Sequence, residues 1–425
     1  MASSAAAPAP HPFRIPAFRA YWAARLAMTL GQSAMMLILG WQVYNIARAD
    51  GMSVGAASAQ LGFIGLVQFL PLFVLTPVTG WVADRLDRRH IARATIFLQF
   101  LCAAALAWAT WSGEIGLLIL FTVAALLGVA RAFNGPALGA LAPNLVPAAA
   151  LPSAIALSSI SWQVGMIAGP GIGGYLHAWM PAASYAGSAA LFLAALLAMM
   201  LIGPVPRPAL DRARHPVRQM IDGLHYVRTN RLVLAAITLD LFAVFLAGAT
   251  ALLPVYARDI LQVGAEGLAQ LGAAPAVGAT ATALFFSFRP LRTNVGVKML
   301  VAVVVFGAAT IAFGFSIWMP LSLAALVVVG AADMFSVFIR QSLIQLHTPD
   351  AMRGRVGAVS QLTISASNEL GEAESGFLAA LIGPVAAVVA GGAGAVAITL
   401  AYMKWFPELR LARSFDPPDV KSEKA

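Results

Sequence analysis

Residues 80–89 read GWVADRLDRR and stand between two apolar stretches, at about 57–82 and 91–111. Five of these ten residues are charged, whereas each flanking stretch has the roughly 20 residues that a helix needs to cross a bilayer. A short charged loop between two stretches of that length is typical of a protein that crosses a membrane more than once. The same alternation continues in both directions along the chain.

The composition of the whole chain supports this interpretation. Of its 425 residues, 60% are hydrophobic and 11% are charged, and the mean hydropathy is +0.82. Soluble domains carry roughly 25% charged residues. These values exclude a cytosolic enzyme, a disordered scaffold and a secreted disulfide domain. The single cysteine, Cys102, lies in an apolar stretch, so neither a disulfide framework nor a thiolate metal cluster is expected.

Twelve apolar stretches of spanning length fall into two groups of six, separated by a polar interval. We therefore predict an all-α membrane protein with 12 transmembrane helices in two six-helix bundles. The predicted organisation is a cytoplasmic tail at 1–19, a first bundle at 20–203, a cytoplasmic linker at 204–231, a second bundle at 232–405 and a cytoplasmic tail at 406–425.

The placement of the basic residues predicts the orientation. With both termini in the cytoplasm, 22 of the 27 Lys and Arg residues lie in inside segments or at the helix ends beside them. Only Arg48 and Arg258 fall in outside loops. Cationic loops resist translocation, so this asymmetry determines the topology. The net charge of +9 is thereby explained without nucleic-acid binding.

The linker contains one short segment with helical periodicity. Met220, Ile221, Leu224 and Val227 recur on one face of a helix. We predict an amphipathic helix that lies along the cytoplasmic membrane surface and couples the two bundles.

The two halves also share a faint internal repeat. The fifth stretch contains SSISWQVGMIAGP and the eleventh contains TISASNELGEAESG, which align when Gly165 is placed over Gly371. Parallel six-helix repeats are the architecture of one large class of secondary transporter. The repeat predicts pseudo-two-fold symmetry between the bundles.

The loop at 80–89 has the chemistry of a cytoplasmic charge lock. A carboxylate at a helix end can bind the N-terminus of a neighbouring helix until a conformational change breaks the contact. The segment resembles the G-x-x-x-D-R-x-G-R-R signature of the major facilitator superfamily, except that Asp87 stands where the family usually has glycine. The resemblance implies a gating role for Gly80, Asp84, Arg85, Arg88, Arg89 and Arg131. For Arg131, contact with an anionic substrate group is the alternative.

Further motifs extend the resemblance over essentially the whole chain. Residues 131–135, RAFNG, resemble the superfamily pattern R-x-x-Q-G with Asn134 in place of Gln. The second half contains LDLF, LPVY and MRGRV, which resemble the bacterial drug- and siderophore-exporter branch, including its enterobactin-exporter-like group. The fifth stretch fits G-x-x-x-G-P-x-x-G-G, a pattern associated with proton-coupled exporters of the family, at Gly165, Gly169, Pro170, Gly173 and Gly174.

Carboxylates inside the predicted spans are candidates for proton coupling. An unpaired carboxylate in a membrane is costly, so it must face a cavity, pair with a cation or bind a proton. Asp240 and Glu369 are the first candidates, and Asp333 and Glu372 are the next. Arg340 follows Asp333 by seven residues on the same helix, and the two could instead form a structural ion pair. The polar groups expected to line a substrate cavity are Gln32, Gln60, Gln68, Asn134, Gln163, Ser365 and Asn368.

Absent motifs narrow the function. The chain has no G-x-x-x-x-G-K-[ST] phosphate loop and no H-E-x-x-H motif, so neither ATP hydrolysis nor enzymatic catalysis is expected, and no cofactor, catalytic residue or metal is assigned. We expect a monomeric secondary transporter in a bacterial inner membrane that exports a small amphipathic organic compound in exchange for protons. The alternatives are a proton-coupled importer of a small metabolite and a non-transporting lipid scramblase or membrane interaction protein.

Overall fold

The computed structural model describes residues 11–204, 216–289, 291 and 293–415, and over these residues it contains helices and no strands. The predicted all-α fold is confirmed. The first six long helices are α1 (Pro16–Ala49), α2 (Val54–Arg85), α3 (Arg88–Ser112), α4 (Leu117–Leu141), α5 (Leu151–Trp179) and α6 (Pro181–Met200). A linker helix, α7 (Pro216–Thr229), follows.

The second set of six begins with α8 (Arg231–Leu246), which short helical turns extend to Ile260. It continues with α9 (Gly264–Phe288), α10 (Val295–Phe315), α11 (Met319–Leu346), α12 (Asp350–Ile382) and α13 (Pro384–Trp405), and a short α14 (Pro407–Leu411) closes the described chain.

Eleven of these helices are long and apolar enough to cross a membrane, counting only the described residues. The helix outside that set is α12, which is 33 residues long. It carries Glu369, Glu372 and Glu374 within two turns, and these carboxylates lower its hydropathy. The eleventh predicted span is therefore the most polar of the twelve, and its helical length is ample for crossing.

The chain forms two compact units. The first comprises Met1–Ile38, Pro71–Ile115 and Thr122–Asp211, and the second comprises Leu39–Leu70, Gly116–Phe121 and Arg212–Ala425. The end of α1 and the first half of α2 thus belong to the unit that contains α8–α13.

In the first unit, α5 packs on α1 through glycines spaced four residues apart. A Cβ atom added at Gly165 would lie 2.5 Å from Thr29 Cγ2, and one at Gly169 would lie 2.6 Å from Ser33 Cβ. One added at Gly173 would lie 2.8 Å from the Ala34 carbonyl oxygen. Any side chain at these positions would push the two backbones apart.

In the second unit, glycines bring α12 equally close to the first half of α2. A Cβ atom at Gly62 would lie 2.8 Å from the Ala373 carbonyl oxygen, and one at Gly65 would lie 2.7 Å from the Glu369 carbonyl oxygen. On the α12 side, Gly376 faces the backbone of Gly62. The aromatic rings of Phe63 and Phe377 pack edge to face beside this contact, 5.0 Å apart.

The internal repeat has a structural counterpart. Gly165 on α5 contacts Thr29 on α1, the first helix of its half. Gly371 on α12 contacts the backbone of Val244 and Phe245 at the end of α8, the first membrane helix of the second half. The two aligned glycines therefore make equivalent contacts in the two units.

The linker helix α7 packs on the start of α12. A Cβ atom at Gly223 would lie 2.8 Å from the Arg355 carbonyl oxygen, and Val227 is buried in a cluster with Val356. The prediction that the four apolar residues of α7 form one face with a common environment is wrong. Val227 is buried and Met220 packs against the same cluster, whereas Ile221 and Leu224 are exposed.

The α1–α5 contact predicts a difference between two glycines that are two residues apart. Gly173→Ala should lower the melting temperature, because the new methyl group meets the α1 backbone and overpacking costs about 1–3 kcal/mol. Gly171→Ala is the matched control, since nothing lies within 4 Å of its added Cβ. The control should be neutral or slightly stabilising, because alanine favours helix by roughly 1 kcal/mol over glycine. Size-exclusion chromatography after heating in detergent measures both, and equal melting temperatures would contradict the close contact.

Candidate functional site

The buried charges of the second unit centre on an ion pair between α8 and α11. Asp240 on α8 contacts the guanidinium of Arg340 on α11, and the two residues are 7% and 2% exposed. Leu239 and Ala243 of α8 pack with Ile339 and Leu343 of α11 in one apolar cluster around the pair. The charges are thus held between apolar helix faces.

The alternative pairing of Arg340 with Asp333 is wrong. Seven residues along a helix separate the two positions by about 10 Å, whereas the α8–α11 packing brings Asp240 directly against Arg340. Asp333 is partly buried, and no cation in the described part of the chain lies within ion-pair distance of it. Asp240 therefore has a cationic partner, and Asp333 has none among the described residues.

The other two coupling candidates lie where α12 meets α2. Glu369 is 4% exposed, and Glu372 is partly buried one turn further along α12. Gly65 of α2 approaches both, since its added Cβ would lie 3.3 Å from Glu372 Cβ. Gln68 is buried one turn beyond Gly65 on α2. Two predicted carboxylates and one predicted cavity residue are thus brought to one interface.

Between α2 and α3, at the predicted cytoplasmic end of the first unit, Asp87 is the N-cap of α3. Its carboxylate accepts a hydrogen bond from the Arg89 backbone N–H at 2.9 Å and pairs with the Arg89 side chain at 2.6 Å. An N-cap favours aspartate and needs no positive φ, so the departure from glycine is accommodated. The hydrogen bond from Arg89 lowers the pKa of Asp87 to about 2. This stabilising contact is complete above about pH 4 and is lost only as the pH falls towards 2.

Of the residues predicted to gate, Arg89 has described contacts with the end of α6, which Arg93 shares. Arg89 donates from Nη1 to the Ile202 carbonyl at 3.2 Å, and Arg93 donates from Nη2 to the same oxygen at 3.0 Å. Both arginines therefore cap the C-terminus of α6, where the helix dipole favours cations. Arg85 is exposed, and Arg88 and Arg131 are partly buried. Gly80 and Asp84 lie in α2, but their surroundings fall outside what the structure describes.

The predicted cavity residues differ in their surroundings. Asn134 is buried, donates to Met28 Sδ at 2.8 Å and accepts from Thr95 Oγ1 at 3.5 Å, which places it between α1, α3 and α4. Asn368 is exposed. Pro170 and Gly174 are buried on α5 with the other residues of that motif. The partly buried candidates are Gln32, Gln60, Gln163 and Ser365.

Sequence analysis did not predict a polar cluster that lies at the end of α1 and the turns after α8, on the predicted outer side. We call Tyr44, Asn45, Arg48, Arg258 and Asp259 the outer cluster; all belong to the second unit. The Tyr44 hydroxyl donates to Asp259, and Arg48 Nε lies 3.4 Å from the same carboxylate. Arg258 donates to Asn45 Oδ1 at 2.6 Å. Arg48 and Arg258, the two basic residues that the sequence places in predicted outside loops, both belong to this cluster. Their unusual position is the feature of the sequence that could have indicated it.

Metal coordination has no candidate in residues 11–204, 216–289, 291 and 293–415. No three His, Cys, Asp or Glu side chains of these segments come together as a possible metal site.

Comparison with known sequences gives a match over nearly the whole chain. The profile of the family described as "Transmembrane secretion effector" matches residues 6–419. Enterobactin exporter EntS of Escherichia coli O1:K1 / APEC is 28% identical over 421 residues, which covers 95% of each chain. The protein of the same name from Shigella boydii serotype 18 (strain CDC 3083-94 / BS512) has the same identity and coverage.

Solved structures show the same fold at low sequence identity. A D-xylose-proton symporter has a TM-score of 0.71 at 14% identity, covering 92% of this chain and 98% of its own. A bacterial homolog to the human lysosomal transporter Spinster, in an inward-facing and unoccupied conformation, has a TM-score of 0.68 at 15% identity, with 95% and 97% covered.

The ion pair predicts that neutralising Asp240 alone destabilises the protein more than replacing both Asp240 and Arg340 with apolar residues. Asp240→Asn should lower the melting temperature strongly, because leaving a buried charge unpaired costs about 3–5 kcal/mol. The double variant Asp240→Leu/Arg340→Met should recover much of that loss, since no buried charge remains. Asp333→Asn is the control on α11 and should have the smaller effect. A double variant no more stable than Asp240→Asn would show that the pair is not the source of the loss.

The outer cluster predicts a local opening when its anion is removed. Asp259→Asn takes the charge from the Arg48 contact and weakens the Tyr44 hydrogen bond, so the end of α1 should separate from α8. Spin labels at Ala49 and Glu266, both exposed, should then show a longer and broader distance distribution by pulsed electron paramagnetic resonance. The exposed Asp50→Asn serves as the charge-matched control. Unchanged distances in Asp259→Asn would exclude a holding role for the cluster.

Proposed function

Because the chain belongs to the transmembrane secretion effector family of the major facilitator superfamily, we propose that it exports a small amphipathic organic compound in exchange for protons. Membership of this family makes it a multi-pass membrane transporter and not an enzyme. Transport by alternating access requires helices that can move against each other while remaining packed. The glycine-mediated α1–α5 contact supplies such a pair, because flat backbone surfaces slide with few side chains interlocked.

Export is supported by two independent observations. The relatives that match over 95% of their length are named enterobactin exporters. The fifth-helix pattern of Gly165, Gly169, Pro170, Gly173 and Gly174 lies buried on α5, three of its glycines against α1. The relatives' name supports an organic substrate of the drug or siderophore class.

The observation that carries proton coupling is the burial of Glu369 inside a membrane-spanning helix. A carboxylate in such a place is costly when ionised, and a proton removes the charge before the cavity around it closes. Glu372 lies on the same helix one turn away and is the natural partner in a proton relay.

The ion pair changes the order of the candidates. Asp240 is neutralised by Arg340, so its protonation would leave an uncompensated cation among apolar residues. Asp333 has no such partner among the described cations. We therefore place Asp333 ahead of Asp240 as a proton carrier, and we assign to Asp240 the role of holding α8 against α11. Glu369 stays the first candidate because of its burial, and Glu372 follows.

The remaining assignments complete the proposal. The protein resides as a monomer in a bacterial inner membrane with both termini in the cytoplasm, and it uses no ATP. Asp84 and the arginines near it gate the cytoplasmic side, with Arg131 completing that network. The partly buried polar groups Gln32 and Gln163 line the substrate path.

Purified protein in liposomes tests this function. With an imposed pH gradient, the wild type should move ethidium or enterobactin uphill against its gradient. Glu369→Gln and Asp333→Asn should lose uphill transport and retain downhill exchange. The neutral side chain cannot bind and release a proton, but the route of the substrate through the protein remains. Glu374→Gln, on the same helix as Glu369, is the matched control and should stay coupled.

Other outcomes separate the alternatives. Proton-driven uptake in the opposite direction would support an importer. Lipid flipping without solute flux and without dependence on the gradient would support a scramblase. Full pH-driven efflux in both Glu369→Gln and Asp333→Asn would refute their assignment as proton carriers.

A further inference from the structure

The linker helix α7 presents two different faces. On the face that meets the protein, Gly223 contacts the Arg355 backbone, and the Asp222 carboxylate lies 3.3 Å from Arg355 Nη1. On the same side, the Tyr226 hydroxyl donates to the His347 carbonyl at 2.6 Å, and Val227 is 3% exposed. This face fixes α7 to the cytoplasmic ends of α11 and α12.

The opposite face is apolar and basic and has no protein partner in the described chain. Ile221 and Leu224 are 58% and 41% exposed, and His225 and Arg228 beside them are also exposed. These four residues follow the i, i+3, i+4, i+7 spacing of a single helical stripe. Exposed aliphatic side chains flanked by cations are the pattern of a helix that lies in the interface of an anionic membrane.

In sequence, the segment around this helix carries an excess of positive charge. Residues 204–231 contain six arginines and two aspartates, and Asp222 of these is already paired with Arg355. Clusters of four to eight basic residues beside a membrane span attract the anionic lipids of the cytoplasmic leaflet. The membrane is close, because α8 begins at Arg231, only two residues after α7 ends at Thr229. At 1.5 Å per residue, Ile221 lies within about 15 Å of the start of that span.

A cavity of about 400 Å³ opens beside the same stripe. Ile221 and Met352 form apolar parts of its wall, and His225, Thr229 and Arg355 supply hydrogen-bond donors. Asp222 also lines the cavity, where its charge is paired with Arg355. Its wall therefore combines a surface for acyl carbon with donors for a phosphate.

We propose that α7 binds anionic phospholipid of the cytoplasmic leaflet through the stripe of Ile221, Leu224, His225 and Arg228. The two aliphatic side chains enter the acyl boundary, Arg228 contacts the lipid phosphate, and the headgroup occupies the cavity beside His225. Because the other face of α7 is fixed to α12, the bound lipid holds the cytoplasmic end of that helix at the membrane surface.

The depth of spin labels in vesicles tests this binding without any transport assay. Cys102 is buried and is the single native cysteine, so labels can be placed one at a time in a Cys102→Ala background. Ile221→Cys and Leu224→Cys carry the test labels. Arg410→Cys is the exposed cytoplasmic control, and Leu400→Cys, exposed on α13, is the lipid control.

In vesicles with 30% phosphatidylglycerol, the labels at 221 and 224 should resemble the lipid control, more accessible to oxygen than to a water-soluble nickel chelate. In pure phosphatidylcholine they should shift towards the water control. Arg228→Gln should remove that difference between the two lipids, and Arg410→Gln should retain it. If one label position prevents folding, the other carries the same test.

Three results would overturn the proposal. Nickel accessibility equal to that at 410 in both lipids would place the stripe in water. Equal immersion in both lipids would exclude selection of anionic headgroups. Protection from both reagents would show that a protein segment covers the stripe.

Discussion

The close approach of helix backbones through glycine is the contact on which the rest of this structure depends. Between helices in a bilayer the hydrophobic effect gives little attraction, since lipid tails are as apolar as the side chains. Van der Waals contact must therefore hold α5 on α1 and α12 on α2, and only residues without a side chain allow it at this distance. Gly173 and Gly62 are examples, because an added Cβ at either would lie 2.8 Å from a carbonyl oxygen of the neighbouring helix. The same flat contacts leave few interlocked side chains to resist sliding.

The cost of a charge in a membrane decides how the carboxylates divide their roles. Asp240 meets that cost by pairing with Arg340 between apolar faces of α8 and α11. Glu369 is buried at the contact of α12 with α2, where a second carboxylate lies one turn away. A paired aspartate holds two helices together, whereas a carboxylate that can bind a proton can make movement depend on pH. In the proposed function, helix packing and proton coupling thus use the same residue type in different surroundings.

Charge also organises the two ends of the protein. At the start of α3 and the end of α6, Arg89 and Arg93 cap the end of α6, while Asp87 caps the start of α3. At the end of α1 and the turns after α8, the positive charges of Arg48 and Arg258 are met by Asp259 and Asn45. Two of the cations that predict the topology therefore also cap a helix. The two cations that depart from the predicted charge bias join the end of α1 to the turns after α8.

The amino-acid sequence by itself determined the helical class, the spans, the family and the identity of the buried carboxylates. These properties depend on hydropathy over about 20 consecutive residues and on short motifs, which are local in the chain. Tertiary structure alone decided that Arg340 pairs with Asp240 and not with Asp333, that Ile221 and Leu224 face away from the protein while Val227 faces inward, and that Tyr44 meets Asp259. The physical reason is that each contact depends on the rotation of a helix about its axis and on which helix lies beside it. Neither quantity is set by the residues of one segment.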